Sequence, residues 1–196
     1  DVIHNLVERA DTLLIGGAMA YTFFKELGLP IGQSLVENEL LETARNIISR
    51  VETRDIAFEL PVDHVVTSKT DGSGAYQVLG VNDPAIGDRL GVDIGPKTVE
   101  HYSKILAGAS TVVWNGPMGA FETPPFDRAT NEVVKCVADL TRTGNLLSVA
   151  GGGDTVAALH HAGLAGEMTY VSTAGGAFLE WLEGKTLPGV AALSTH

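Results

Sequence analysis

Leu146–Leu147–Ser148–Val149–Ala150–Gly151–Gly152–Gly153–Asp154–Thr155 is the stretch whose reading decides the fold. A short apolar run, Leu146 to Val149, ends in three consecutive glycines, and Gly153 to His161 then reads as a helix. The same punctuation recurs along the chain. Thr12–Leu13–Leu14–Ile15 ends in Gly16–Gly17, Thr111 to Trp114 ends in Asn115–Gly116–Pro117, and Met168 to Val171 ends in Ser172–Thr173–Ala174–Gly175–Gly176. Each is a strand that ends in a sharp turn.

Amphipathic stretches lie between these runs. Asp1 to Ala10, the stretch after Gly17 to Leu27, Phe126 to Leu140 and about Ala174 to Leu182 carry helical patterns. From Glu39 to Val51, the residues Leu40, Ala44, Ile47, Ile48 and Val51 share one face. Pro96 suits the first position of a helix to Leu106, with Val99, Tyr102 and Leu106 inward. Ile56 to Phe58 and His64 to Thr67 read as strands separated by Leu60–Pro61. Tyr76 to Leu79 is placed to pair with the second of them through Asp71–Gly72–Ser73–Gly74. Strands alternating with helices predict one α/β domain, a Rossmann-like three-layer sandwich whose mostly parallel sheet has helices on both faces.

Composition narrows the function. The 196 residues hold 13 Lys plus Arg against 24 Asp plus Glu, a formal charge of −11. Tracking a nucleic-acid backbone needs clustered cations, so nucleic acid is excluded as a partner. No apolar run reaches the ~18 residues that span a bilayer, so no membrane partner is expected. The single cysteine, Cys136, cannot close an internal disulfide and lies among Val133, Val134 and Val137, which predicts packing.

The carboxyl ends of parallel strands lie on one edge of a sheet, where ligands bind. Glycines there bring backbone amides close to a ligand, and the following helices aim free N–H groups at the same place. One glycine pair is no more than a tight turn, but four such junctions point to a polyphosphate ligand. Asp154 suits a Mg²⁺ held largely by phosphate oxygens and water, and it equally suits a helix N-cap. The G-x-x-x-x-G-K-[ST] phosphate loop is absent. The third glycine of the dinucleotide fingerprint is missing after Gly151-x-Gly153, and no acidic residue closes Met168 to Val171, which disfavours a nicotinamide dehydrogenase.

At these residues the chain resembles the phosphoglycerate kinase family. The stretches that carry the resemblance are Leu14 to Ala20, Leu60–Pro61–Val62–Asp63, Gly91 to Lys97, Val113 to Glu122, Gly151 to Thr155, Val171 to Ala177 and Leu182 to Val190. The resemblance covers essentially the whole chain, and the stretches match the family's C-terminal, nucleotide-binding domain in its order. The resemblance implies a phosphotransferase of glycolysis, cytoplasmic and monomeric, that makes ATP from ADP and 1,3-bisphosphoglycerate and leaves 3-phosphoglycerate. It implies that Gly16, Gly17, Gly91 and Val92 flank the adenine, that Pro117 packs near the ribose and that Glu122 accepts its hydroxyls. Asn115 is expected along the phosphate chain. Gly151, Gly152, Gly153, Asp154 and Thr155 are expected to cradle the phosphates, with Asp154 on Mg²⁺. Gly153 and Gly176 amides, with Thr173 alongside, are expected to face the phosphoryl group in transfer.

Two departures accompany the resemblance. Ala18 and Ala174 stand where the family often has a further glycine. The family's Gly–Ala–Lys strand and loop, and the basic N-terminal domain that holds 3-phosphoglycerate, are not among these 196 residues. Residues 1–196 are therefore expected to be the nucleotide-binding half, inactive or nearly so alone. A non-catalytic nucleotide-binding or interaction module with glycine-rich turns is the competing expectation. His160 and His161 diverge by about 100° on a helix and share no metal. His4, His64 and His101 lack ligand spacing, and Trp114 and Trp181 are read as packing.

Overall fold

Leu13 and Leu14 are neighbours in sequence and belong to different cores, as the two-residue period of a strand requires. The computed structural model describes residues 2–54 and 56–193, so Asp1, the first residue of the expected opening helix, lies outside them. That helix is α1 (Val2–Leu6), shorter than the pattern suggested and continued by a turn. Thr12–Leu14 (β1) pairs in parallel with Ala57–Glu59 (β2), register Thr12↔Ala57. The crossover between them carries α2 (Met19–Glu26) and α3 (Leu41–Arg54). Leu40 lies in a 3₁₀ turn ahead of α3 and is exposed, while Ala44, Ile47 and Val51 are buried. These three join Leu13, Ile15, Tyr21, Phe23 and Phe24 in the first core.

An antiparallel sheet comes next, built from β3 (Asp63–Thr67), β4 (Tyr76–Gly80) and β5 (Leu90–Ile94) in the order β4-β3-β5. The hairpin through the Asp71–Gly74 turn is the expected one, with Thr67↔Tyr76 in register. Strand β5 is not apparent in the sequence, because Gly91 and Asp93 alternate with Val92 and Ile94 and give it a polar cast.

The second parallel sheet has the order β6 (Thr111–Asn115), β7 (Leu147–Gly151), β8 (Tyr170–Val171). Trp114 and Ala150 face a core formed with α4 (Pro96–Ala107), α5 (Arg128–Arg142) and α6 (Gly153–His161). On the other face, Phe178 of α7 (Gly175–Leu182) lies against Gly151. A short helix unforeseen in the sequence, α8 (Pro188–Leu193), ends the described chain. The architecture is α/β, with parallel sheets flanked by helices. Pro96 opens α4 after the Gly95 N-cap, and Val99, Tyr102 and Leu106 are buried, as the pattern predicts. Among the described residues no helix is long and apolar enough to cross a membrane.

Two buried polar side chains join these layers. The Tyr102 hydroxyl donates to the carbonyls of Ile15 (2.6 Å) and Glu59 (2.9 Å), fixing the ends of β1 and β2 onto α4. Asp93 is 5% exposed and accepts the N–H of Ile94 (3.0 Å) and, at the start of α5, that of Ala129 (3.0 Å). A Cβ on Gly119 would lie 2.2 Å from Asp93 Oδ1, so the chain after β6 crosses directly over this carboxyl.

These contacts lead to two expectations. Tyr102→Phe removes the hydroxyl that joins the two carbonyls, of which that of Glu59 keeps the Ile15 N–H, and should lower unfolding free energy by about 1–2 kcal/mol in urea titrations. An unchanged midpoint would remove Tyr102 from the joint. For Asp93, burial pushes the carboxyl up to about 7 against two backbone N–H bonds that favour its charge, with Asp127 and Glu132 adding to the rise. The folded protein thus keeps a proton that the unfolded chain releases near the ordinary value of 3.8. This group's stabilisation is present at low pH and lost as pH rises from about 4 to 7. The stability difference between wild type and Asp93→Asn should shrink over that interval; a difference independent of pH contradicts the raised value.

Candidate functional site

The β7–α6 junction begins with a geometric requirement. Gly152 has φ 91°, and a Cβ there would lie 2.5 Å from the Asn115 Oδ1. A side chain at this position would be strained and would displace Asn115. Asn115 ends β6 opposite Gly151 in register, so the two strand ends arrive together. Thr155, 2% exposed in the first turn of α6, accepts the N–H of Gly116 at 2.7 Å. Trp114 donates its indole N–H to Gly116 O at 2.5 Å and is buried, which accords with packing.

Among the described residues, no side chain caps the helix starts at this junction. Neither the Gly152 cap of α6 nor the Ala174 cap of α7 makes a side-chain cap hydrogen bond, so the first-turn N–H groups lack side-chain acceptors. The two helix starts lie side by side, since a Cβ on Gly175 would be 3.8 Å from the Gly153 nitrogen. Gly153 and Gly176 are exposed and open. Thr173 is exposed on the turn leading into α7. Asp154 lies inside α6 rather than at its cap, is exposed and accepts no hydrogen bond among the described residues. The N-cap role left open by the sequence therefore belongs to Gly152.

A second group gathers around the chain after β6. Gly17 donates to Met118 O (3.0 Å), Ala120 donates to Val92 O (2.7 Å) and Met118 donates to Thr130 Oγ1 (3.1 Å). A Cβ on Gly17 would lie 2.9 Å from Pro117 O, and one on Gly16 would strike Met118 Sδ at 2.5 Å. Gly16, Gly17, Val92 and Pro117 are thereby collected from three separate regions of the sequence. Gly91 joins them beside Val92, held by Ser34 Oγ at 2.9 Å and overlain by Tyr21. Glu122 is exposed, and among the described residues no side-chain hydrogen bond ties it to either group. Asn115 to Met118 runs continuously between the two groups.

The sequence did not single out Tyr21, Ser34, Asp93 or Thr130 as part of this arrangement. A carboxylate between Val92 and Ile94 was the available signal for Asp93; the other three carry none. His4 lies against Arg50, His101 against Glu59 at 2.8 Å and His161 against Asp127 at 3.1 Å. No group of three or more His, Cys, Asp or Glu is arranged for a metal among the described residues. Trp181 is half-exposed beside Phe178 rather than fully packed, and Cys136 is partly buried against the second core.

A family model described as phosphoglycerate kinase matches residues 1–185. The chain is 54% identical over 193 residues to a phosphoglycerate kinase of Xanthobacter flavus, covering 98% of this chain and 48% of that protein. It is likewise 54% identical over 193 residues to a phosphoglycerate kinase of Azorhizobium caulinodans, with the same coverage of each. Among solved structures, the phosphoglycerate kinase from Coxiella burnetii superposes with a TM-score of 0.92 at 40% identity, covering 98% of this chain and 48% of that one. The enzyme from Pyrococcus horikoshii gives 0.79 at 33% identity with the same coverage. The chain spans about half the length of the curated relatives it matches. With sequence and fold in agreement over nearly all of its residues, the chain belongs to the phosphoglycerate kinase family.

Proposed function

We propose that this chain is the nucleotide-binding half of a cytoplasmic, monomeric phosphoglycerate kinase. In this reading it binds MgADP or MgATP for phosphoryl transfer between 1,3-bisphosphoglycerate and ADP. The phosphoglycerates are held by an N-terminal domain outside these residues, and the 196-residue chain alone binds nucleotide without turning it over. The observation that carries the reading is the junction of Asn115, the Gly151–Gly153 amides and the uncapped starts of α6 and α7, with exposed Asp154 beside them.

Phosphoryl transfer asks the protein for positioning and charge stabilisation, not for a nucleophile. In this reading Gly16, Gly17, Gly91 and Val92, gathered around the chain after β6, flank the flat base. Pro117 and Glu122 come later on the connecting chain, near enough in sequence to take the ribose. Asn115 and the Gly151–Gly152–Gly153–Asp154–Thr155 loop meet the phosphates. The Gly153 and Gly176 amides and the Thr173 hydroxyl stabilise negative charge on the group in transfer. The donor set fits Mg²⁺, because one exposed carboxylate with no protein partner suits an ion whose other ligands are phosphate oxygens and water. When bound, the metal would neutralise phosphate charge.

Calorimetric titration of the full-length protein with ADP, with and without Mg²⁺, tests the proposal alongside a coupled phosphotransfer assay. Asp154→Ala should weaken ADP binding by about tenfold or more with Mg²⁺ and leave metal-free binding unchanged. Equal weakening in both conditions removes the metal role. A full-length protein that binds ADP without any transfer to or from phosphoglycerate supports the non-catalytic module instead.

A further inference from the structure

We propose that three buried polar side chains, His64, Tyr21 and Ser34, form a positioning device that sets the Gly91–Val92 corner and thereby the affinity for the adenine nucleotide. Its bearing on nucleotide affinity rests on the proposed function. Tyr21 and His64 are 5% and 2% exposed, and the Tyr21 hydroxyl lies 2.9 Å from His64 Nδ1. Their rings stack with centroids 5.8 Å apart and planes 18° from parallel. Ser34 is 8% exposed, and the N–H of Gly91 donates to its Oγ at 2.9 Å. With the imidazole neutral, Tyr21 donates to His64 Nδ1, while Ser34 holds the same Gly91 backbone that the Tyr21 phenol covers.

Two features separate this arrangement from ordinary core packing. The first is its energetic cost. His64 Nε2 is buried with no partner among the described residues, and a buried orphan polar atom is destabilising. An apolar pair of similar volume would avoid that cost. The second is where the hydroxyl ends. A Cβ on Gly91 would lie 1.4 Å from the Tyr21 oxygen, so the phenol occupies the space beside the Gly91 backbone itself. Tyr21 is on α2, which comes after Gly16–Gly17, and His64 is on β3 beside β5. The network thus fixes the two segments proposed to flank the adenine relative to one another.

The test uses the full-length protein carrying Tyr21→Phe with His64→Leu, and separately Ser34→Ala. The double variant removes both polar partners together and should keep its melting temperature within about 5 °C of wild type. In both variants the nucleotide KM should rise about fivefold while kcat and the phosphoglycerate KM stay unchanged. Amide exchange of the peptide containing Gly91 should accelerate. A folded variant pair with unchanged nucleotide KM overturns the inference, as does unchanged Gly91 exchange. A wild-type protein without nucleotide turnover overturns the functional reading instead. Gly91 exchange then still decides the positioning role, acceleration supporting it and constancy refuting it.

Discussion

The segment from Asn115 to Ala120 is the constraint on which the other parts depend. Within six residues it takes the Gly17 N–H on Met118 O, gives the Gly116 N–H to Thr155, gives the Met118 N–H to Thr130 and gives the Ala120 N–H to Val92 O. These bonds reach the end of β1, α6, α5 and β5. A strand end alone does not hold so many elements in register. Here the backbone of a turn is one side of every fastening, met twice by a carbonyl or amide and twice by a threonine hydroxyl. The arrangement also leaves little tolerance, because Gly119 passes over Asp93 with no room for a Cβ.

That geometry explains what could be read from the sequence. Strands running into glycines, the helix opened by Pro96 and the hairpin through Asp71–Gly74 are local patterns, and local chemistry produces them. Strand β5 escaped because one of its three buried residues is Asp93, a polar residue whose carboxyl accepts the Ala129 N–H, 36 residues away. Met168 and Thr169 fall outside β8, which is limited to Tyr170–Val171; the Thr169 hydroxyl instead accepts the Ser148 N–H. Asp154 and the glycine turns were legible as chemistry. Tyr21, Ser34 and His64 were not, since their meaning lies in a contact between residues 43 positions apart and in the space beside one glycine.

A division of labour emerges between the two proposed halves of the crevice. Around Asn115 and Gly152 the donors are exposed amides at helix starts, suited to negative charge. Around Gly91 and Gly17 the amides are consumed by internal bonds, and the walls are backbone and apolar side chains. Charge would be recognised at the first group and shape at the second. Rigidity matters more for shape, because a flat apolar ligand has few directional bonds with which to draw a loose wall into place. The buried polar network lies at the second group, and the unpartnered Asp154 at the first.

The net charge of −11 bears directly on the phosphate end. A polyanion approaching this chain meets repulsion that the partial charges of two helix starts offset only at short range. The exposed carboxylate of Asp154 would worsen that repulsion unless a cation lay between it and the phosphates. An aspartate at this place is therefore harder to reconcile with a bare phosphate site than with a metal-bridged one. One divalent ion still leaves a nucleoside triphosphate anionic. The proposed partner domain with its basic face would supply further positive charge when it closes over the crevice, and closure would also strengthen each amide–phosphate bond by excluding water.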